Sequence, residues 1–176
     1  IEHVSFTFAI EGVSRSLLAQ ITRHRLASFS VRSQRYVKMG EGVVTPPEIY
    51  VDEDAKPYFD TAIAMAYECY ENISRILKDY YVLVGADEKS AEKKAIEDAR
   101  FVLPNAACTS MVMTMNAREL LHFFELRCCR RAQWEIREMA WQMLAECRKA
   151  APALFENAGP AGLTGRCPEG KATCGK

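Results

Sequence analysis

The chain has 176 residues, of which 49% are hydrophobic, enough to bury the core of one ordinary domain. Lysine and arginine number 23 together, and so do aspartate and glutamate, which gives a formal net charge of zero. This balance argues against nucleic-acid binding through bulk electrostatics, and the lack of an 18-residue apolar run excludes a membrane-spanning helix.

The N-terminal part of the chain predicts a strand, a short helix and a loop. Residues 4–10 alternate between apolar and polar side chains, a pattern typical of a half-buried strand, and Gly12 is expected to end it. Ser14 is the predicted N-cap of a helix that runs to about Thr22. Residues 23–36 are rich in arginine and serine and have no helical periodicity, so a loop is predicted there.

The rest of the chain is mostly helical by its pattern. Thr45-Pro46-Pro47 predicts a turn or an extended linker. Apolar spacing predicts four helices, over about residues 54–81, 90–101, 117–128 and 132–150. Residues 109–116 alternate again and predict a second strand, whereas the glycine-rich tail after Pro152 is predicted to be loop. We therefore predict a single α+β domain, with a small antiparallel sheet packed against long helices.

The predicted loop contains an unusual cluster of arginines and serines. Four arginines fall within thirteen residues: Arg23, Arg25, Arg32 and Arg35. Guanidinium forks and hydroxyl groups suit a phosphate and the polar edge of a ring. A solvated basic surface loop explains the composition about equally well. A nucleic-acid patch is a weaker third interpretation because the chain as a whole is neutral.

The helix predicted after Asn116 carries a second constellation. With residues placed 100° apart, one polar arc comprises Arg118, Glu119, His122 and Glu125. Arg127 instead falls on the apolar side, and an unpaired buried charge costs several kcal/mol. Its partner is either a ligand or an acid such as Glu135 or Glu138. Arg118 and Arg127 point about 180° apart, so ligands of both would occupy different pockets or different subunits.

The cysteines predict no catalytic or metal site. Cys167 and Cys174 are seven residues apart, which is poor spacing for zinc without a second pair. The total of seven is odd and includes the adjacent Cys128 and Cys129, a usage typical of reduced thiols in the cytoplasm. No Walker loop, Gly-x-Gly-x-x-Gly motif or Ser-His-Asp order occurs.

Three motifs in order resemble those of the flavin-dependent thymidylate synthases. The first is Arg23-His24-Arg25 followed by Ser33 and Arg35, which is the family's Arg-His-Arg, seven residues, Ser and, two further on, Arg. The others are residues 116–122, continuing to Leu126-Arg127 and 132–137, and residues 99–104 upstream. The resemblance implies a family domain at residues 1–152 and a glycine-rich tail at 153–176. It also places the family's N-terminal segment, with a further His and Ser near the flavin, before Ile1.

This resemblance implies a chemistry and a set of contacts. The family methylates dUMP to dTMP with methylenetetrahydrofolate as carbon donor and NADPH-reduced FAD as hydride donor, in a homotetramer with shared active sites. The dUMP contacts it implies are Gln20, Arg23, Ser33, Gln34, Arg35, Arg100 and Arg127. The FAD contacts it implies are Arg23, His24, Arg25, Asn116, Arg118 and His122. Arg127 matches the arginine that favours ionisation at N3 of the uracil, and a desolvated arginine suits an anionic ring.

The chain departs from the family pattern at three positions. Ser30 and Val31 stand where many relatives have Asn and Glu, and His122 stands where others have Asn. Ser33 has no neighbouring base and is expected to bind rather than to attack. Two alternatives remain from other classes: a nucleotide- or RNA-binding module that uses the arginine loop without catalysis, and a flavoprotein with another substrate.

Overall fold

The computed structural model describes residues 1–35, 42–164, 167–168 and 170–174. The strands in this part of the chain are β1 (Ser5–Ser14), β2 (Ala27–Val31) and β3 (Cys108–Asn116). The α-helices there are α1 (Arg15–Ile21), α2 (Pro47–Val51), α3 (Ala55–Leu83), α4 (Glu88–Ala99), α5 (Ala117–Arg127), α6 (Trp134–Ala150), α7 (Pro152–Phe155) and α8 (Ala161–Thr164). The strands form one antiparallel sheet in the order β1-β3-β2, which confirms the predicted α+β class. No helix within the described ranges is long and apolar enough to cross a membrane.

Two strand predictions are corrected by the structure. β1 does not end at Gly12 but continues to Ser14, because the glycine adopts a φ of 70° that other residues rarely tolerate. β2 lies inside the segment that was predicted to be loop. Its apolar side chains are half-buried and its serines exposed, so the period of two is present but spans only five residues.

The four long helices are confirmed, with boundaries set by caps. α4 begins at Glu88, two residues earlier than predicted, because the Asp87 carboxylate accepts a hydrogen bond from the Ser90 backbone N–H at 3.1 Å. α6 begins at Trp134, where the Gln133 side chain accepts from two backbone N–H groups. The turn or extended linker predicted at residues 45–47 is extended at Pro46 but stops there, because Pro47 opens α2 at a position where proline loses no helical hydrogen bond.

The chain divides into two compact units of non-contiguous segments. The first unit comprises Ile1–Ile10, Leu17–Ser30 and Met111–Lys176, and the second comprises Glu11–Ser16 and Val31–Ser110. Most of the sheet therefore belongs to the first unit, together with α5 and α6. The second unit contains α3 and α4, which enclose the buried Tyr70 and Ala99.

The core of the first unit is built by β3, α5 and the start of the tail. Met111, Met113 and Met115 are buried along one side of β3, in keeping with the alternation that predicted this strand. Phe124 packs edge-on against Phe155, with 5.9 Å between ring centroids. Phe155 is fully buried in α7, so the prediction of a structureless tail after Pro152 was wrong at this point. One buried aromatic side chain anchors a segment whose glycines had suggested loop.

Candidate active site

In the first unit, three charged or titratable side chains form a hydrogen-bonded chain. The Nδ1 atom of His24 lies 3.2 Å from Oε1 of Glu119, and the Nε atom of Arg127 donates to Nε2 of His24 at 3.1 Å. His24 is 8% exposed and Glu119 is 7% exposed. Because a guanidinium only donates, Nε2 must be the accepting nitrogen of the ring, and the proton on Nδ1 is donated to Glu119.

Helix geometry explains why these groups meet. Glu119, Phe123 and Arg127 are four residues apart and share one face of α5, within an arc of about 80°. The His24 ring packs edge-on against Phe123, with 5.0 Å between centroids. The His24 backbone N–H donates to the carbonyl of Ile21 at the end of α1, which fixes the approach of the ring. Glu119 is therefore buried, although it belongs to the polar arc of the helix.

The local charges favour an anionic ligand near Arg127. Burial lowers the pKa of His24, the hydrogen bond that His24 donates to Glu119 opposes this shift, and the Arg127 charge lowers the pKa further. The histidine is accordingly neutral. Burial also lowers the pKa of the Arg127 guanidinium, and the nearby charge of Arg23 adds to this effect. The repulsion between the two guanidinium charges is relieved when an anion binds to both.

The structure also identifies the side chain that contacts Arg127 within the described residues. Within the described residues, Arg127 bonds to His24 and forms no ion pair with Glu135 or Glu138, the two acids that the sequence had offered. The carboxylate of Glu138 accepts instead from the Gln142 amide, at 2.9 Å. A neutral imidazole orients the guanidinium without neutralising it, so the positive charge remains available.

The other predicted FAD residues also lie in the first unit, mostly at its surface. Arg23, Arg25 and His122 are exposed, and the Nε atom of Arg118 is paired with the Glu2 carboxylate. The side-chain oxygen of Asn116 accepts from the Glu119 backbone N–H at 2.9 Å and so caps α5. Their contacts with a flavin stay predictions.

In the second unit, Glu97 of α4 gathers two of the predicted dUMP arginines. Arg35 forms a two-pronged ion pair with this carboxylate, through Nε at 2.8 Å and an Nη atom at 3.0 Å. The Nε atom of Arg100 donates to the Glu97 backbone carbonyl at 3.1 Å. Ser33 accepts from the Arg35 backbone N–H at 3.1 Å, which shapes the turn that carries Arg35.

A third arginine in this cluster was missed by the sequence reasoning. Burial lowers the pKa of Arg15, and the charge of Arg100 lowers it further, so these two guanidiniums lie near each other. Arg15 opens α1 next to the sheet, and no local pattern distinguishes it from a surface arginine. Glu97 was missed as well, although its spacing of three residues from Arg100 places both on one face of the helical segment. Arg15, Arg35 and Arg100 form what we call the arginine cluster of the second unit.

The remaining predicted residues are half-buried, and the two buried cysteines have raised pKa values. Gln20 lies in α1 of the first unit and Gln34 in the second unit. Burial raises the pKa of Cys128 to about 12 and that of Cys147 to about 11. Thiols with such pKa values are not nucleophiles at neutral pH, which agrees with the sequence analysis in giving Cys128 no catalytic role.

Comparisons with known proteins point in one direction. A model of the thymidylate synthase complementing protein family (Thy1) matches residues 1–153. The flavin-dependent thymidylate synthase of Clostridium tetani is 53% identical over 177 residues, covering 100% of this chain and 71% of the relative. That of Geobacter sulfurreducens is 49% identical over 179 residues, covering 100% of this chain and 70% of the relative. The solved UMP/dUMP methylase PolB from Streptomyces cacaoi, bound with 5-Br dUMP, is 26% identical with a TM-score of 0.73, covering 88% of this chain and 71% of that one.

Proposed function

The chain belongs to the thymidylate synthase complementing protein family, and on this basis we propose that it methylates dUMP to dTMP. The carbon comes from methylenetetrahydrofolate and the hydride from NADPH through FAD, so that tetrahydrofolate and NADP⁺ are the other products. The observation that carries the proposal is the partly desolvated Arg127, held at Nε by a neutral histidine and placed near a second arginine.

Arg127 is the proposed catalytic residue. With Nε engaged by His24, its two Nη atoms remain to donate to the uracil ring. A fixed cation next to the ring stabilises the form that has lost the N3 proton, and this form carries more electron density at C5. The attacking carbon is thereby activated without a cysteine, which agrees with the raised pKa of the buried thiols.

We propose that the arginine cluster of the second unit binds the dUMP phosphate. Arg35 and Arg100 are predicted contacts, and both are oriented by Glu97 in the absence of substrate. Arginine forks match phosphate oxygens in pairs. Arg15, Arg35 and Arg100 bring three guanidiniums to one cluster, a donor set that suits a phosphate. Gln20, Arg23, Ser33 and Gln34 are proposed as further contacts with dUMP.

The residues predicted to hold FAD have the chemistry that this cofactor requires. The exposed Arg23 and Arg25 offer guanidiniums to its pyrophosphate, and His122 and the amide nitrogen of Asn116 offer polar groups to a ring edge. Arg118 is held by a single exposed carboxylate, which an anionic ligand can replace. Bound FAD supplies the hydride that completes the methyl group. We propose these residues, together with His24, as its site.

We propose further that four copies assemble. One face of α3, in the second unit, carries five apolar side chains that are each more than half exposed: Tyr58, Met65, Ile76, Tyr80 and Leu83. At 100° per residue they lie within an arc of about 60°, and a continuous exposed apolar stripe of this kind marks an interaction surface. We expect light scattering of the purified protein to give four times the mass of the 19.8 kDa chain. A monomer at micromolar concentration would contradict this assembly.

A cytoplasmic location is the last part of the proposal. Its support is that no disulfide joins the seven cysteines, all of which lie within the described residues, whereas cysteines in oxidising compartments usually form disulfides. NADPH and the reduced folate are expected to be available to the enzyme there.

The visible absorption spectrum of the purified protein, with and without dUMP, tests the proposed function. We expect an oxidised-flavin band that shifts when dUMP is added, because the ring and the nucleotide then share one environment. A band that is indifferent to dUMP would favour a flavoprotein with another substrate. Salt-sensitive binding to oligonucleotides without any flavin would favour the nucleic-acid module instead.

A further inference from the structure

We propose that Glu119 is a positioning residue for Arg127, acting through the proton of His24. The inference rests on the proposed function of Arg127 and adds a residue that the sequence had placed only on a polar arc of the helix. The Glu119 carboxylate holds the imidazole proton on Nδ1, which leaves Nε2 free to accept from the arginine. The catalytic guanidinium is thus oriented by a carboxylate that does not touch it.

Of the three protonation forms of the His24 imidazole, only one fits both of its hydrogen bonds. A guanidinium has donors only, so Nε2 of His24 must carry a lone pair to accept from Arg127 at 3.1 Å. Both the Nε2–H tautomer and the imidazolium place a second donor against Nε of the arginine. Only the Nδ1–H tautomer fits, and the hydrogen bond at one ring nitrogen decides which tautomer is present. Glu119 makes that bond at 3.2 Å.

The surroundings hold the Glu119 carboxylate in place beside His24. Glu119 lies in the first turn of α5, where the helix dipole favours an anion, and its own backbone N–H is held by the Asn116 cap. The His24 ring is held against Phe123. Burial of both His24 and Glu119 excludes water that would otherwise compete for Nδ1.

Two substitutions separate this role from a merely structural one. Glu119→Gln keeps an oxygen that accepts from Nδ1–H, whereas Glu119→Met keeps the volume and removes the acceptor. Glu138→Ala is the matched control, since Glu138 is an exposed carboxylate on α6 that accepts from Gln142. The tautomer is measured from the ring ¹⁵N shifts of histidine-labelled protein, with signals assigned through His3→Gln and His122→Asn.

We expect a protonated Nδ1 in the wild type, in Glu119→Gln and in the control, with kcat within about threefold of the wild type in both variants. In Glu119→Met we expect the proton of His24 to lie on Nε2 instead. This variant should have a kcat at least tenfold lower and a KM for dUMP changed less than threefold, as for an interaction made only in the transition state. A wild-type ring protonated at Nε2 would overturn the proposal. So would a Glu119→Met variant that retained both the Nδ1 proton and full kcat.

The ¹⁵N shifts report the tautomer of His24 without any turnover. The proposed function and the positioning role of Glu119 can therefore be refuted separately. A wild type that binds no dUMP and makes no dTMP refutes the proposed function, whatever the ¹⁵N shifts show. A wild type that makes dTMP with Nε2 protonated refutes the positioning role alone. If Glu119→Met does not fold, as judged by circular dichroism, the wild-type shifts and the Glu119→Gln variant still decide.

Discussion

Replacing Arg127 with alanine is expected to lower kcat for dUMP methylation about 100- to 1000-fold, the loss typical of removing one preorganised donor to a developing anion. The guanidinium is partly desolvated, and the charge of Arg23 already disfavours its protonated form, so an anionic uracil relieves a standing repulsion. The uracil ring offsets this repulsion most when it carries a full negative charge. The substitution should therefore affect turnover more than the affinity for dUMP, and single-turnover methylation with saturating dUMP measures it.

Two further variants sharpen this prediction. Arg127→Lys keeps the charge but lacks the planar fork whose Nε reaches His24 while Nη atoms face the ring, so we expect a turnover between wild type and alanine. Arg130→Ala removes an exposed arginine three residues further on and should leave kcat unchanged. The helical circular dichroism of Arg127→Ala should match that of the wild type, because Arg127 is the last residue of α5 and makes one side-chain hydrogen bond there. Wild-type turnover in Arg127→Ala would exclude its catalytic role.

The fold was largely predictable because most of its elements are long and periodic. α3 and α6 repeat an apolar face over several turns, and β3 alternates along its whole length. β2 was not predicted, because its five residues with serines at alternate positions differ too little in polarity to indicate a strand. α7 was not predicted, because four residues are too few to show a helical period. Its one apolar anchor, Phe155, is buried by partners that are distant in the chain.

The sequence motifs predicted which residues belong to the site but not which of them contact one another. The apolar placement of Arg127 on α5 correctly indicated a partly buried charge, but its partner His24 lies 103 residues away in the chain. The helical angle of Glu119 places it at the edge of the polar arc of α5. It is buried because His24, which follows α1, packs against that edge. Arg15 and Glu97 join the arginine cluster through tertiary folding, which a single sequence does not encode in any local spacing. Contacts of this kind require the fold itself.

The arginine cluster of the second unit leads to the second large prediction. We expect Arg100→Ala to raise the KM for dUMP about 10- to 100-fold and to change kcat less than threefold, because the phosphate is remote from the reacting carbon and its binding contributes equally to ground and transition states. The corresponding loss is about 1.4 to 2.8 kcal/mol, in the range of one charge-assisted hydrogen-bonded contact. Removing Arg100 also relieves the repulsion that lowers the pKa of Arg15, which should limit any loss of folding stability.

The control for this experiment is Arg75→Ala, which removes an exposed arginine from α3 in the same unit. Its KM for dUMP should match that of the wild type. A further comparison uses deoxyuridine, which lacks the phosphate: the wild type and Arg100→Ala should bind it equally weakly, because the lost contact is one that only the phosphate makes. An Arg100→Ala variant with unchanged KM for dUMP, or one that weakens deoxyuridine as much as dUMP, would show that Arg100 does not bind the phosphate. The cluster would then be a structural ion-pair network built around Glu97.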